Sequence, residues 1–305
     1  MTIDSKNNVT ENNSDWYKSG IFLLDGGWGT QLQSCGLAVG EQPDLWNLSH
    51  SEAVLSVAQA YVSAGSDVIL TNTFGGSRFV LARNGSEDKV EAINRAGVAI
   101  SKQAAGGKAK VVASVGPSGM MLISGNVTEQ ELYDSFLEQV SAIAAEKPDG
   151  IVVETMSDPA EAVIAVKAAK TTGLPVAACM VFDSGKNKDR TMMGTTPEQA
   201  VAKLTEAGAD IIGSNCGQGV DGFIPICERL RAATSLPIWI KANAGLPKVV
   251  DGQTIYSQSP DEFAQKAEQL IAAGANFIGG CCGTTPDFIA KLRQTVFNIP
   301  KPVRQ

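Results

Sequence analysis

Six cysteines and a single histidine bound the chemistry open to this chain of 305 residues. With only His50, a metal site built on two histidines, or a histidine base steered by a second histidine, is excluded. Three cysteines sit in glycine-flanked settings: Cys216 in Ser214-Asn215-Cys216-Gly217, and the adjacent pair in Gly279-Gly280-Cys281-Cys282-Gly283. Three converging thiolates would hold a zinc ion and leave its fourth position open to substrate. Neighbouring residues of a regular strand point to opposite faces, so Cys281 and Cys282 reach one ion only where the strand has ended. Gly280 and Gly283 permit that ending. Spacing alone leaves two other readings open, ordinary buried thiols and a vicinal disulfide. Cys179 lies inside an apolar run and Cys227 on an apolar helical face, so both read as packing; Cys35 falls in the loop or short helix after the first strand. His50, between Ser49 and Ser51, reads as a cap or surface residue.

Such residues need a frame. Four times a helical stretch ends in a turn and a β-rich run begins: Ala64-Gly65-Ser66-Asp67 before VILT, Lys147-Pro148-Asp149-Gly150 before IVVE, Ala207-Gly208-Ala209-Asp210 before IIGSN, and Ala273-Gly274-Ala275-Asn276 before FIGG. A glycine past a helix supplies the left-handed residue that ends it, and the apolar run after it suits a strand buried on both faces. Eight strands are predicted at 21–24, 68–71, 111–115, 151–154, 176–181, 211–214, 238–241 and 277–280. Eight helices are predicted near 52–63, 89–104, 129–146, 159–171, 197–206, 222–233, 260–272 and 286–296. Thr128-Glu129-Gln130-Glu131 is a capping box, Thr196-Pro197 and Thr285-Pro286 put proline at the first helical position, and Ser259-Pro260-Asp261-Glu262 does both. The alternation predicts a single-domain (β/α)8 barrel over 18–298, with a disordered tail at 1–17 and a short one at 299–305. The rival, a doubly wound sheet, wants a G-x-G-x-x-G loop after its first strand. Asp25-Gly26-Gly27-Trp28-Gly29-Thr30 does not fit it.

In a barrel the chemistry collects at the C-terminal strand ends. Here those ends bear Asp25-Gly26-Gly27, Thr71-Asn72-Thr73, Ser114, Glu154-Thr155, Asp183, Asn215-Cys216-Gly217, Asn243 and Gly280-Cys281-Cys282. Polar groups beside glycine at so many ends point to a ligand site on one rim. Lys and Arg number 25 against 32 Asp and Glu, a net charge of −7, which argues against nucleic acid or an anionic membrane as partner. No apolar run is long enough to span a bilayer, and the first sixteen residues have no secretory leader pattern. A cytoplasmic protein with reduced thiols is the expectation, acting on small molecules, with a homo-oligomer left open.

The motifs Asp25-Gly26-Gly27, Leu70-Thr71-Asn72-Thr73-Phe74, Val153-Glu154-Thr155, Asn215-Cys216-Gly217, Asn243-Ala244-Gly245-Leu246-Pro247 and Gly279-Gly280-Cys281-Cys282-Gly283 together resemble the zinc-dependent homocysteine S-methyltransferase family, across roughly residues 20–296. Asp183, Arg190-Thr191-Met192-Met193-Gly194 and Lys248-Val249-Val250-Asp251-Gly252 resemble its single-domain bacterial members often assigned to betaine. The resemblance implies a (β/α)8 barrel and Zn2+ on Cys216, Cys281 and Cys282. It implies that Asp25 and Glu154 hold the homocysteine amino group and that the backbone at Gly26 and Gly27 receives its carboxylate, with Thr73 and Asn215 lining the same site. A zinc-lowered thiol pKa would make the sulfur nucleophilic at neutral pH, with no histidine base required.

For the methyl donor the expectation is a small onium compound, betaine first. Trp28, Trp46 and Phe74 are candidates for a cation-binding wall. Gly75 and Thr155 stand where the animal betaine enzymes carry tyrosines. The alternatives are S-methylmethionine or a separate methyl-corrinoid carrier protein. Two further readings compete: a thiol redox or metal-buffering protein built on Cys281-Cys282, and a non-zinc barrel enzyme with a Schiff base on Lys241.

Overall fold

Val68-Ile69-Leu70, Val111-Val112-Ala113 and Ile151-Val152-Val153 carry apolar side chains at every position, as strands covered on both faces must. In the computed structural model, which describes residues 15–250 and 253–298, these runs pair in parallel. The strands are β1 (Phe22–Leu23), β2 (Val68–Leu70), β3 (Lys110–Val115), β4 (Gly150–Met156), β5 (Val176–Met180), β6 (Ile211–Gly219) and β7 (Ile238–Asn243), then the hairpin strands β8 (Pro247–Val250) and β9 (Gln253–Tyr256), and β10 (Phe277–Gly280). The parallel sheet runs β1-β10-β7-β6-β5-β4-β3-β2, while β8 and β9 pair antiparallel. The seam between β1 and β2 is bridged by Asp67, whose amide donates to Leu23 O (2.7 Å) and whose carboxylate accepts from Leu23 N (2.9 Å). The result is the expected (β/α)8 barrel, with each predicted strand in place.

The surrounding helices start where their caps predict. Thr128, Thr196 and Ser259 each close a capping box, opening helices Glu129–Ala145, Pro197–Glu206 and Pro260–Ala264. The helix predicted over 260–272 is divided: Pro260–Ala264 is followed by Ala267–Ala272, and between them Lys266 pairs with Asp221 at 2.8 Å. The hairpin β8–β9 was not foreseen. It stands in the connection after β7, on the face that carries the rim residues.

Two apolar layers hold the barrel. One lies between sheet and helices; the other fills the bore with Leu24, Leu70, Val152, Cys179, Trp239 and Phe277. The bottom of the bore corrects the expected tail boundary. Trp16 sets its ring edge-on to Phe22 (5.6 Å) and Phe277 (6.0 Å) and donates to Asp149 O, while Tyr17 is buried. The rest of that tail, 1–14, and the C-terminal one, 299–305, lie outside the described residues. Among the described residues no helix is long and apolar enough to cross a membrane.

Candidate active site

Cys216 and the Cys281-Cys282 pair end up together because two strand ends are bent in unusual ways. In β6 the residue after Asn215 takes φ +61°, so the Cys216 side chain leaves the strand's alternation. After β10 the chain turns at once. Cys281 N donates to Ala242 O (2.7 Å), Cys282 N to the Asn243 carboxamide oxygen (3.1 Å), and Thr284 Oγ1 to Cys281 O (2.7 Å). Gly283 completes the turn at φ +80°. Adjacent cysteines thus face one point, as the sequence required. All three sulfurs lie within 4.8 Å of one another, and Cys216 Sγ and Cys282 Sγ are 3.9 Å apart. Sulfurs at tetrahedral zinc, with bonds of about 2.3 Å, stand about 3.8 Å apart, so the triad fits such an ion with little movement. All three thiols are free in this structure. Cys216 accepts thiol hydrogen bonds from Cys281 and Cys282, which hold it down at about 3 despite its burial. The cost falls on the donors: Cys281 is pushed well above the usual thiol range and Cys282 up to about 11.

The carboxylates lie in the bore under this rim. Asp25 is fully buried; its Oδ2 accepts from Leu70 N (2.6 Å) and Trp28 Nε1 (2.7 Å), and its Oδ1 pairs with the Lys241 ammonium. Glu154 accepts from Ser114 Oγ (2.5 Å) and Asn215 Nδ2 (3.1 Å). Burial raises its pKa, with the Lys241 charge opposing. Asn215 ties the site together: its carboxamide also accepts from Thr155 N (2.8 Å) and donates to Thr155 Oγ1 (2.7 Å), bracing Thr155 at φ +61°. Burial pushes the Lys241 ammonium down, but the charges of Asp25 and Glu154 outweigh it and raise its pKa. Its ion pair with Asp25 favours the ammonium form, which counts against the Schiff-base reading.

The other expected residues divide. Gly26 and Gly27 are required by close approach: a Cβ on Gly26 would meet Tyr61 Oη at 2.7 Å, and one on Gly27 would meet Cys281 O at 2.5 Å. The Gly27 amide, however, already donates to Thr284, so it is engaged within the protein. Thr73 is buried and donates to Ser114 O (2.7 Å), bracing β3 beside Glu154. Phe74 is 41% exposed at the mouth, its ring over Gly116. Trp28 is half-buried, with its indole N–H on Asp25. Trp46 is not brought to the mouth. It is buried, its ring stacked on His50 at 4.3 Å and its N–H donated to Glu41, so it builds the core rather than a cation wall. Gly75 has a structural reason: a Cβ there would stand 2.7 Å from the Asp44 carboxylate, which accepts the Gly75 amide.

Two neighbours support the triad: Asn243, which the sequence placed at a strand end on the rim, and Tyr256, which the sequence did not single out. Asn243 binds the Cys282 amide and hydrogen-bonds the Cys216 sulfur. Tyr256, on β9, lies against Gly283, where a Cβ would approach its ring to 2.2 Å, and it hydrogen-bonds Cys282. The turn dipeptide Asp251-Gly252 between two β-rich runs was the available signal for that hairpin.

Comparison with known proteins agrees with this geometry. The family described as homocysteine S-methyltransferase matches residues 22–296. The methionine synthase of Mycobacterium tuberculosis is 28% identical over 304 residues, which take in 93% of this chain and 25% of that protein. The methionine synthase of Mycobacterium leprae is 27% identical, over 90% of this chain and 24% of its own length. The chain thus spans about a quarter of the length of these curated relatives. Among solved structures, the metallated form of the homocysteine methyltransferase MmuM from Escherichia coli superimposes with a TM-score of 0.75 at 23% identity, covering 91% of this chain and 96% of that one, a likeness of fold. With a family match across nearly its whole barrel, this chain belongs to the homocysteine S-methyltransferase family.

Proposed function

We propose that the chain transfers a methyl group to the thiol of homocysteine, giving methionine, with Zn2+ held by Cys216, Cys281 and Cys282. The observation that carries this reading is the convergence of three sulfurs within 4.8 Å on the same rim as the buried carboxylates Asp25 and Glu154. Zinc bound there would lower the pKa of the acceptor thiol so that it is a thiolate at neutral pH. Glu154, oriented by Ser114 and Asn215, would hold the acceptor's ammonium beside the triad. The buried strand ends exclude water and fix the acceptor for in-line attack. In the transfer the acceptor sulfur forms its bond to the methyl carbon as the donor's bond breaks. The electron pair leaves with the donor, and the thiol proton goes to solvent. In the reducing cytoplasm, where we place the protein, the triad stays reduced.

For the donor we propose a small onium compound, betaine first, with Phe74 and Trp28 as the aromatic faces toward its cation. A second reading has an observation of its own. Phe74, Met121, Ile123, Met192, Leu246 and Ile255 are exposed on the connections that follow β2, β3, β5 and β7, an apolar rim suited to a methyl-carrying partner protein. One experiment separates the two. Zinc-loaded protein is given homocysteine with betaine, S-methylmethionine, dimethylsulfoniopropionate, S-adenosylmethionine or a methyl-corrinoid protein, and methionine is measured. Turnover with betaine supports the first reading; turnover with the corrinoid protein alone supports the second. No methionine from any donor, or full activity in a metal-free protein, overturns both.

A further inference from the structure

Two segments that the chemistry needs for different purposes are joined at the rim. Cys281 and Cys282 face the metal position, and Asp25-Gly26-Gly27 is the stretch expected to receive the amino acid end of the acceptor. Thr284 links them across 257 residues of sequence. It is fully buried. Its hydroxyl donates to Cys281 O (2.7 Å) and accepts from the Gly27 amide (3.1 Å), which also donates to Thr284 O (3.2 Å). The Thr284 amide returns to Cys281 O (3.2 Å). Behind stands Tyr61, fully buried, from the helix Ser51–Ser63. Its hydroxyl lies 3.2 Å from both Gly27 O and Thr284 O and donates to that pair of carbonyls. Beneath the turn, Gly280 N donates to Asp25 O (3.0 Å).

The two segments touch without slack. A Cβ on Gly27 would stand 2.5 Å from Cys281 O, and one on Gly26 would meet Tyr61 Oη at 2.7 Å and Thr284 Oγ1 at 2.8 Å. Close-packed groups of this kind transmit a displacement rather than absorb it. An ion on Cys281 and Cys282 fixes the turn that begins with them. Thr284 closes that turn onto Cys281 O, and its two oxygens set the direction of the Gly27 amide. Neither Thr284 nor Tyr61 belongs to the sulfur triad, and both spend their hydroxyls on the backbone of the two segments.

We propose that Thr284 and Tyr61 are positioning residues that couple the two halves of the site: zinc on the cysteines orders Asp25-Gly26-Gly27 and so raises the affinity for the amino acid end of the acceptor. By linkage, an acceptor bound there tightens zinc by the same factor. The gain in acceptor affinity rests on the reading of the site as one for a thiol amino acid; the ordering of 25–27 by zinc does not.

The test follows amide hydrogen exchange of the peptide spanning 25–30, with and without zinc, in wild type, Thr284→Val, Tyr61→Phe and Thr284→Ser. Zinc is expected to slow exchange there by about fivefold or more in wild type and by less than about twofold in Thr284→Val and Tyr61→Phe, while chelator competition shows that both still bind the metal. Thr284→Ser, which keeps the hydroxyl, should behave as wild type. A second arm uses L-2-aminobutanoate, which is homocysteine without its sulfur: it keeps the ammonium and the carboxylate and has no thiol for the metal. At saturation it should tighten zinc by about fivefold or more in wild type and by less than about twofold in the two uncoupled variants. Zinc that leaves exchange at 25–30 unchanged in wild type, or slows it equally in the variants, overturns the proposal, as does 2-aminobutanoate that binds with no regard to zinc. Should Thr284→Val not fold, wild type and Tyr61→Phe decide between the same outcomes. Protection of 25–30 by zinc in a protein that binds neither 2-aminobutanoate nor homocysteine counts against the functional reading and leaves the coupling of metal and loop standing.

Discussion

Cys216 carries both its chemistry and its strain in one residue. At φ +61° a side chain crowds its own backbone, at a cost of about 1–2 kcal/mol that glycine does not incur. The hydrogen bonds of Asn215 to Glu154 and Thr155 hold the strand end that enforces this geometry. Cys216→Gly and Cys216→Ala should both lose zinc. In denaturant melts of the metal-free proteins the glycine variant should be the more stable by about 1 kcal/mol. Equal stability would show that the conformation is unstrained. Asn215→Ala should keep the metal but raise the acceptor KM by about tenfold, since Glu154 and Thr155 lose their common partner; an unchanged KM would remove Asn215 from acceptor binding. The three cysteines were legible as residues of one rim because they stand beside glycines at strand ends; that they form a metal triad was legible only through the family resemblance of their motifs, since spacing alone left buried thiols and a vicinal disulfide open. The Lys241–Asp25 pair was not legible, since its members are 216 residues apart and a lysine in an apolar run carries no mark of its partner. Trp46 misled because an aromatic after the first strand can turn to the mouth or to the core, and only packing against His50 decides.

The elements were legible where local chemistry repeats: caps, left-handed glycines and fully apolar runs placed all the barrel strands and their order. The hairpin β8–β9 escaped because its strands have four residues each and serve a site rather than the core. Its consequence lies at Gly283, where the turn after Cys282 and the Tyr256 ring compete for the same space. Gly283→Ala should force the hairpin away and strain a backbone at φ +80°, displacing Cys282. We expect zinc affinity, measured by chelator competition, to fall by about tenfold or more, as when a metal ligand loses its supporting neighbours. Tyr256→Phe, which keeps the ring and removes the hydroxyl, should shift the visible bands of the cobalt-substituted protein with little change in melting temperature. If Gly283→Ala binds zinc as wild type does, the hairpin is mere covering for the turn.

At the scale of the whole molecule, buried acids set how stability answers to pH. Asp44, packed against Gly75 and raised by burial from 3.8 to about 6, binds its proton more tightly in the folded chain than in the unfolded one. The sign follows: stability is greatest with the proton on, and it is lost as pH rises from about 4 to about 6, reaching a plateau above that. Glu154 and Glu161, both raised by burial, act in the same direction. The self-repulsion of a chain with net charge −7 does too, since protonation relieves it. Exposed carboxylates held low by hydrogen bonds, such as Glu131 and Glu262, oppose the trend below pH 4.5, and being exposed they carry little weight. Asp44→Asn keeps an oxygen for the Gly75 amide and removes the buried charge. In denaturant melts of metal-free protein at pH 7.5 this variant should exceed wild type by about 1–3 kcal/mol, and the advantage should shrink toward pH 4.5, where the Asp44 of the folded wild type is itself neutral. The contrast between the two pH values isolates the carboxylate from any packing change, which would act equally at both. An advantage of the same size at pH 4.5 and 7.5 would assign the effect to packing and leave Asp44 without a part in the acid response.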